Sequence, residues 1–171
     1  MKLRYSIALA LPLASANAMA ADLALKLDIP QLNVAEYHRP YIAAWLENAD
    51  QKVVSNLAVL YDVKKKDNAG TKWLKDMRQW WRKSGRDVAM PMDGVSGATR
   101  GPGEHTLTFP VAKEALNKLP AGQYNVVVEV AREAGGREAV KVPLTLPVKA
   151  AQNVAAKGKE EVGDVVVQVK P

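Results

Sequence analysis

The residues best suited to chemistry lie together in the stretch PMDGVSGATRGPG, residues 91–103. Asp93, Ser96 and Thr99 place one carboxylate and two hydroxyls among glycines and small side chains, which contribute little to a core. Such a stretch is either a plain surface turn or a loop that presents a hydroxyl group. The elements that flank it decide where it lies.

Other candidates for chemistry are weaker. Met90 and Met92 could offer thioether ligands to copper, but no run of histidines accompanies them. His38 and His105 are the only histidines, and a structural role is the simpler interpretation for His105, which lies on an alternating strand. No Ser/His/Asp arrangement, carboxylate pair or phosphate-binding loop stands out, so hydrolytic and phosphoryl-transfer catalysis have no support.

The N-terminus predicts export. MKLRYSIALALPLASANAMAAD places two cations before a short apolar run and then has small residues at 18 and 20, the small-x-small pattern of a cleavable signal peptide. The apolar run is shorter than the roughly 20 residues that a membrane-spanning helix needs. We therefore expect a signal peptide over residues 1–20 and a single periplasmic domain over residues 21–171, which does not itself span the membrane.

Composition limits the partners and the chemistry. Removal of Lys2 and Arg4 with the signal peptide lowers the formal net charge from +6 to about +4. Because the basic residues are scattered among acidic ones, nucleic acid is a poor candidate partner. The chain has no cysteine, which excludes disulfides, thiol redox chemistry and cysteine-ligated metals. A redox role therefore requires a bound cofactor.

Most of the chain after residue 21 alternates between apolar and polar residues with period two, as strands with one buried face do. The alternating stretches are about seven: 22–29, 37–46, 53–63, 104–111, 125–132, 138–147 and 163–170. The Gly-Gly pair in REAGGRE predicts a hairpin, and Pro143 is tolerable if its strand lies at an edge or its nitrogen faces solvent. We expect a mainly β fold, an immunoglobulin-like β-sandwich with one inserted helix.

The inserted helix is predicted over residues 71–83, TKWLKDMRQWWRK. Its large apolar residues recur at the spacing of one helical face: Trp73, Met77, Trp80 and Trp81. Thr71 is a candidate N-cap. Residues 150–161 show no periodicity and are expected to form a flexible connection. The motif stretch then lies in a loop after an amphipathic helix that packs on the sandwich.

The motif at residues 93–99 resembles a known modification sequence. DGVSGAT, residues 93–99, is similar to the Asp-x-x-Ser/Thr-Gly-Ala-Thr/Ser sequence of the flavin-bearing subunits of the sodium-translocating NADH:quinone oxidoreductase and of the Rnf complex. The resemblance implies that an FMN transferase, with FAD as donor, attaches FMN through its phosphate to the hydroxyl of Thr99. The positions that the transferase would recognise are Asp93, Ser96, Gly97 and Ala98.

The residue types suit that chemistry. Gly97 and Ala98 leave the approach to the Thr99 hydroxyl open, and backbone N–H groups of a glycine-rich turn can meet phosphate oxygens. Arg100 is a candidate for a charge-assisted contact to the phosphate. Trp80 and Trp81 could stack on the flavin ring, although tryptophans at helical spacing more often belong to a core.

The resemblance extends along nearly the whole exported chain, which is similar to a family of predicted periplasmic proteins of unknown function. Members of that family resemble partners of membrane-embedded, haem-binding reductases of the PepSY type. The resemblance implies an electron carrier with covalent FMN, itself no enzyme. Two alternatives remain open: a cofactor-free immunoglobulin-like binding module, and a periplasmic metal-binding accessory protein.

Overall fold

The structure, a computed structural model, describes residues 22–109 and 116–171. The predicted signal peptide, residues 1–20, lies outside the described residues. Within them the chain forms nine strands: β1 Asp22–Ile29, β2 Tyr41–Asn48, β3 Val53–Tyr61, β4 Ser96–Ala98, β5 Gly103–Thr108, β6 Gly122–Ala131, β7 Arg137–Leu146, β8 Gln152–Lys157 and β9 Asp164–Lys170. Helical segments between β3 and β4 are a 3₁₀ segment (Lys66–Asp76), helix α1 (Arg78–Lys83) and a 3₁₀ turn (Gly85–Asp87).

The strands form two sheets that pack face to face. One sheet has the order β5-β1-β9-β8 and the other β4-β3-β2-β6-β7. Alternate residues of the strands point inward and form the core between the sheets, with Leu25, Val128, Val142 and Val167 fully or almost fully buried. The expected mainly β sandwich is confirmed, and it has two strands more than expected among the described residues.

A second core lies on the outer face of the five-stranded sheet, under the helical insertion. Tyr41, Ala43 and Trp45 on β2 meet Met77 and Trp80 there. Because β2 is covered on both faces, seven of its eight residues are buried. The insertion therefore packs on one face of the sandwich, as its apolar side predicts.

The insertion is not the single helix predicted over residues 71–83. The backbone of Met77 leaves the helical region (φ −76°, ψ 73°) and separates the 3₁₀ segment from α1. Glu129, buried on β6, accepts hydrogen bonds from the amides of Gln79 (3.1 Å) and Trp80 (2.8 Å). The sheet itself thus satisfies the first free amides of α1, which lets a new helix begin there.

Two local expectations are wrong. Thr71 does not cap a helix, because its hydroxyl donates to the carbonyl of Asn68 at 2.8 Å. Residues 150–161 are no flexible connection, since they contain β8, which pairs with β9 along its length. Val154 and Ala156 point toward the core and are partly buried. Because these inward residues are small, the alternation between apolar and polar residues in β8 is too weak to predict a strand.

The hairpin and the edge proline are confirmed. β6 and β7 pair antiparallel around a turn in which the amide of Arg132 donates to the carbonyl of Gly136 at 3.1 Å. β7 is the edge strand of its sheet, and Pro143 is exposed on it. A proline at this position removes a backbone donor where no further strand pairs.

The loop before β9 is tied to this hairpin by charges. Glu138 accepts hydrogen bonds from the backbone amides of residues 159–162 at 2.5 to 3.3 Å. Arg132 forms a two-bond contact with Glu161, with both N–O distances at 2.9 Å. These contacts join the ends of the two sheets.

Candidate functional site

The motif begins with a tight turn that its own side chain stabilises. Gly94 has φ +68°, a conformation that favours glycine. The hydroxyl of Ser96 accepts a hydrogen bond from the amide of Met92 at 2.8 Å, and the Ser96 amide returns one to the Met92 carbonyl at 2.9 Å. Asp93 is exposed at the tip of the turn. Ser96 therefore closes the turn, and Asp93 remains accessible from solvent.

The middle of the motif is the short strand β4, whereas the sequence predicts a loop there. β4 runs parallel to β3 at the edge of the sheet, with Gly97 beside Leu60 and Ala98 beside Tyr61. A Cβ atom on Gly97 would lie 3.0 Å from Cδ2 of Leu60. The glycine is thus what allows the motif to approach the sheet this closely.

Thr99 follows β4 and is held at both its backbone and its side chain. Its amide donates to the carbonyl of Tyr61 at 3.0 Å, which extends the pairing with β3 by one residue. Its hydroxyl donates to the carbonyl of Pro40. Thr99 is half-buried, whereas Arg100 is exposed. The expected acceptor is therefore an oriented hydroxyl at the edge of the sheet.

A cleft of about 430 Å³ opens beside this hydroxyl. One wall comes from the segment that leads into β2, another from the end of β3 and the turn after it, and a third from the motif. The residues that line it are Tyr37, His38, Arg39, Tyr41, Tyr61, Asp62, Val63, Lys64, Lys65, Ala98, Thr99 and Glu133. Its volume lies within the range of small-molecule sites, about 300 to 1,000 Å³.

The cleft combines aromatic side chains with charge. Three cations line it, Arg39, Lys64 and Lys65, against two carboxylates, Asp62 and Glu133. The ammonium of Lys65 lies 4.1 Å from the ring centroid of Trp73 and is held at the rim by that contact.

Two tyrosines of the cleft are held in place by burial. The hydroxyl of Tyr41 donates to the carbonyl of Gly70 at 3.0 Å and so anchors the 3₁₀ segment to the cleft wall. Burial raises the pKa of the Tyr41 and Tyr37 hydroxyls. The Tyr37 hydroxyl has no hydrogen-bond partner within the part of the chain that the structure describes. Both phenols therefore stay neutral across the physiological range.

His38 joins the two sides of the cleft mouth. Its Nε2 lies 3.2 Å from a carboxylate oxygen of Glu36, and its Nδ1 lies 3.9 Å from one of Glu133. His38 thus places the segment that leads into β2 close to the turn after β6.

A family model described as a predicted periplasmic protein, DUF2271, matches residues 22–164. The chain belongs to this family. The description agrees with the export predicted from the N-terminus, and the protein is periplasmic. Neither the curated proteins nor the solved structures contain a match to the chain. Across residues 22–109 and 116–171, no helix is long and apolar enough to cross a membrane.

In this DUF2271 member, the predicted site residues are only partly brought together. Ala98 and Thr99 line the cleft, Ser96 and Gly97 support them from within the motif, and Asp93 lies on the exposed turn. Arg100, the predicted phosphate contact, is not among the residues that line the cleft.

The other residues of the cleft were missed by sequence reasoning. Tyr37, Tyr61 and Arg39 come from two distant segments and form no motif of their own. The one available signal was weak: "YHRP" breaks the alternation of the predicted strand 37–46, and the structure starts β2 only at Tyr41.

The alternative sites are less well supported by the structure. Trp80 is completely buried and packs in the second core, and Met90 is partly buried against the same core. The ring nitrogen Nε2 of His105 donates to the carbonyl of Gly101 at 2.8 Å, as a structural histidine does. Among the described residues, no group of three or more histidines, cysteines or acids could hold a metal ion.

Proposed function

We propose that this protein is a periplasmic electron carrier with FMN attached through its phosphate to Oγ1 of Thr99. The observation that carries the proposal is the position of that hydroxyl. It belongs to the flavinylation-like motif, and it lies on the wall of a cleft of suitable size with aromatic walls and three cations. The family's periplasmic description adds the compartment in which such carriers operate.

The residues present fit the group. Tyr37 and Val63 offer accessible apolar surface to a flat ring, and Arg39, Lys64 and Lys65 offer positive charge to a phosphate. When bound, the flavin supplies the electron transfer, and the protein's part is to hold the ring and tune its potential. A covalent tether suits a compartment in which no pool of free FMN would replace a lost cofactor.

The attachment step needs an external transferase and FAD. Oγ1 of Thr99 attacks the phosphorus on the FMN side of the FAD diphosphate, and the bond from that phosphorus to the bridging oxygen breaks. AMP leaves with the bridging oxygen, and the hydroxyl proton passes to a base of the transferase. The protein gains the mass of FMN less one water and is the substrate of this reaction.

The electron partner belongs to the same proposal. A membrane-embedded, haem-binding reductase of the PepSY type is the partner that the family resemblance implies. Electrons would pass between that reductase and an acceptor outside the cytoplasm through the flavin at Thr99.

Mass spectrometry of the exported protein tests the proposal. The chain is co-expressed with an FMN transferase, and intact mass and in-gel flavin fluorescence are recorded. We expect full modification of the wild type and of Thr99→Ser, which keeps the hydroxyl, and none of Thr99→Val, which keeps the shape. Thr106→Ala, an exposed threonine on β5 outside the motif, is the matched control and should be modified like wild type.

Two results would contradict the proposal in different ways. If the wild type gains no mass, the protein is no flavoprotein, and a cofactor-free binding module becomes the better interpretation. If Thr99→Val is modified like wild type, the protein carries FMN but the assignment to Thr99 is wrong.

A further inference from the structure

We infer that the flavin ring docks in the cleft beside Thr99 and is held between the segment 37–41 and the turn 61–65. This inference rests on the proposed function and adds the residues that bind the ring. It places the ring in this cleft and not against the tryptophans of the helical insertion.

The tether starts at the wall of the cleft. Thr99 lines it together with its neighbour Ala98. In the unmodified protein, the Thr99 hydroxyl donates to the carbonyl of Pro40, immediately before the buried start of β2. Esterification removes that hydrogen, so the ester oxygen can no longer donate to Pro40. The hydrogen bond to Pro40 is therefore lost when the group is attached. Arg39, the residue before Pro40, lines the cleft and could form an ion pair with the phosphate.

The composition of the cleft matches an isoalloxazine ring, which has an apolar end and a polar end. Tyr37 is half-buried and offers a partly accessible ring, while Tyr41 and Tyr61 also line the cleft but are almost fully buried. Val63 is 38% exposed at the mouth. Aromatic surface of this kind binds flat ring systems by stacking and by contact with ring edges. The lysines at the rim supply donors for the polar end.

The tryptophans of the insertion do not offer the same surface. Trp80 is 0% exposed, so its ring faces only other protein atoms. Trp81 lines a different depression, whose other residues include Arg78 and Arg82 but no residue of the motif. Trp73 carries Lys65 over its ring. The cleft that Thr99 lines thus presents the ring of Tyr37, and none of these tryptophans, to a tethered flavin.

Charge in the cleft gives the docked ring a defined electronic effect. The lining residues carry one more cation than carboxylate, because Arg39, Lys64 and Lys65 face Asp62 and Glu133. Positive charge near the ring favours the electron-rich, reduced form.

Solvent access to the flavin tests the inference. Protein loaded with FMN, with loading verified by intact mass, is titrated with iodide at constant ionic strength while flavin fluorescence and its anisotropy are recorded. The same protein unfolded in urea provides the free-ring reference. We expect iodide quenching of the folded wild type to be several-fold weaker than that of the reference, with higher anisotropy.

Two substitutions by glutamate make the test specific. Val63→Glu removes apolar surface from the cleft and adds a carboxylate that competes with the phosphate for Arg39, Lys64 and Lys65, so quenching should rise toward the unfolded value. Val54→Glu is the matched control, because Val54 has similar exposure (36%) and lies at the other end of β3. The new carboxylate would itself repel iodide, so a rise in quenching at Val63 understates the release of the ring. Tyr37→Leu is a second cleft variant and should also raise quenching.

The outcomes separate the two proposals. Absence of any mass gain overturns the proposed function and this inference with it. Full loading with wild-type quenching equal to the unfolded reference overturns this inference alone, as does equal quenching of Val63→Glu, Tyr37→Leu and Val54→Glu. Protection in the wild type that both cleft variants lose, and Val54→Glu retains, supports the cleft as the flavin site.

Discussion

Single residues decide whether the motif can lie against the sheet. Gly97 touches Leu60 closely enough that even one added carbon would press on it at 3.0 Å. The same motif contains a second kind of glycine, Gly94, whose positive φ the turn requires. Gly101, just after the motif, has open space around it. These three glycines therefore differ in role: Gly97 allows close packing, Gly94 allows the turn, and Gly101 has no neighbour that a side chain would meet.

Gly97→Ala should weaken the attachment of β4 to β3. The added methyl overlaps Leu60 and costs about 1 kcal/mol of unfolding free energy unless the leucine side chain shifts. Gly101→Ala is the control and should change that free energy by less than about 0.5 kcal/mol. Urea unfolding of both variants checks the difference. Equal free energies would mean that Leu60 moves aside without cost.

The buried Glu129 carboxylate controls the start of α1. Its oxygens are the acceptors for the amides of Gln79 and Trp80, with Arg137 at 3.8 Å. Glu129→Ala leaves both amides without an acceptor and should lower the unfolding free energy by about 2 to 4 kcal/mol. Glu129→Gln keeps one acceptor oxygen and should lower it by less. Thermal unfolding of the two variants measures this difference. Equal decreases in unfolding free energy would contradict this role of the Glu129 carboxylate.

The charge of Glu129 also sets a pH dependence. Burial raises its pKa, and the hydrogen bonds from Trp80 and Gln79 only partly oppose this. The folded protein therefore holds the proton more tightly than the unfolded chain, and this group's contribution to stability falls as pH rises from about 4.5 through the raised pKa. Glu129→Gln cannot lose a proton there, so its stability should vary less with pH over that window.

At the scale of elements, Glu138 links β7 to the loop before β9. Burial alone would raise its pKa, but the backbone amides of residues 159–162 outweigh it and lower the pKa below the ordinary value of 4.5. Hydrogen bonds from Lys141 and Lys83 likewise outweigh burial at Glu47 and lower its pKa. Both carboxylates thus favour the folded state when they are charged.

These two groups predict acid sensitivity. Their contribution to stability is present above about pH 4.5, the ordinary value, and is lost as pH falls through the lowered folded pKa values. We expect Glu138→Gln to flatten this part of the stability–pH curve measured by urea unfolding. Glu160→Gln, an exposed neighbour of the same loop, serves as control and should leave the curve unchanged. A wild-type curve that is flat below pH 4.5 would contradict the prediction.

Elements with regular alternation were predictable from sequence, and elements without it were not. β1, β7 and β9 each bury one face, so their patterns showed both type and orientation. β4 and β8 consist largely of small and polar residues, and their pairing depends on neighbours far away in sequence. The helical break at Met77 depends on a carboxylate 52 residues later in the chain, on β6.

The same limit applies to the site. The motif could be found because its residues are contiguous. The cleft could not, because the start of β2 and the end of β3 meet there only after the sheet forms.

At the scale of the whole molecule, the five-stranded sheet carries a core on each face. β2 lies in the middle of that sheet and contributes Leu46 to the core between the sheets and Trp45 to the second core. A destabilising substitution in either core therefore weakens the packing of β2. The two cores are expected to melt together.

Unfolding in urea should be a single transition by two probes. Tryptophan fluorescence reports the second core, where Trp45 and Trp80 are buried, and far-UV circular dichroism reports the sheets. We expect equal midpoints. Trp80→Ala should lower the unfolding free energy by about 3 to 5 kcal/mol, because it leaves a cavity and removes the indole hydrogen bond to Asn56. Separate midpoints would show that the helical insertion unfolds independently.

The edge position of β4 determines how an enzyme could reach Thr99. β4 has three residues, pairs with one neighbour only and contributes no residue to either core. Short edge segments of this kind open locally at a small fraction of the global free energy. If Thr99 is the acceptor that we propose, β4 and Thr99 could leave the sheet edge to reach a transferase without unfolding of the core between the sheets, since only Val95 of the motif packs on the second core. Amide hydrogen exchange would detect this local opening of β4, because the Thr99 amide should then exchange far faster than the amides of β2.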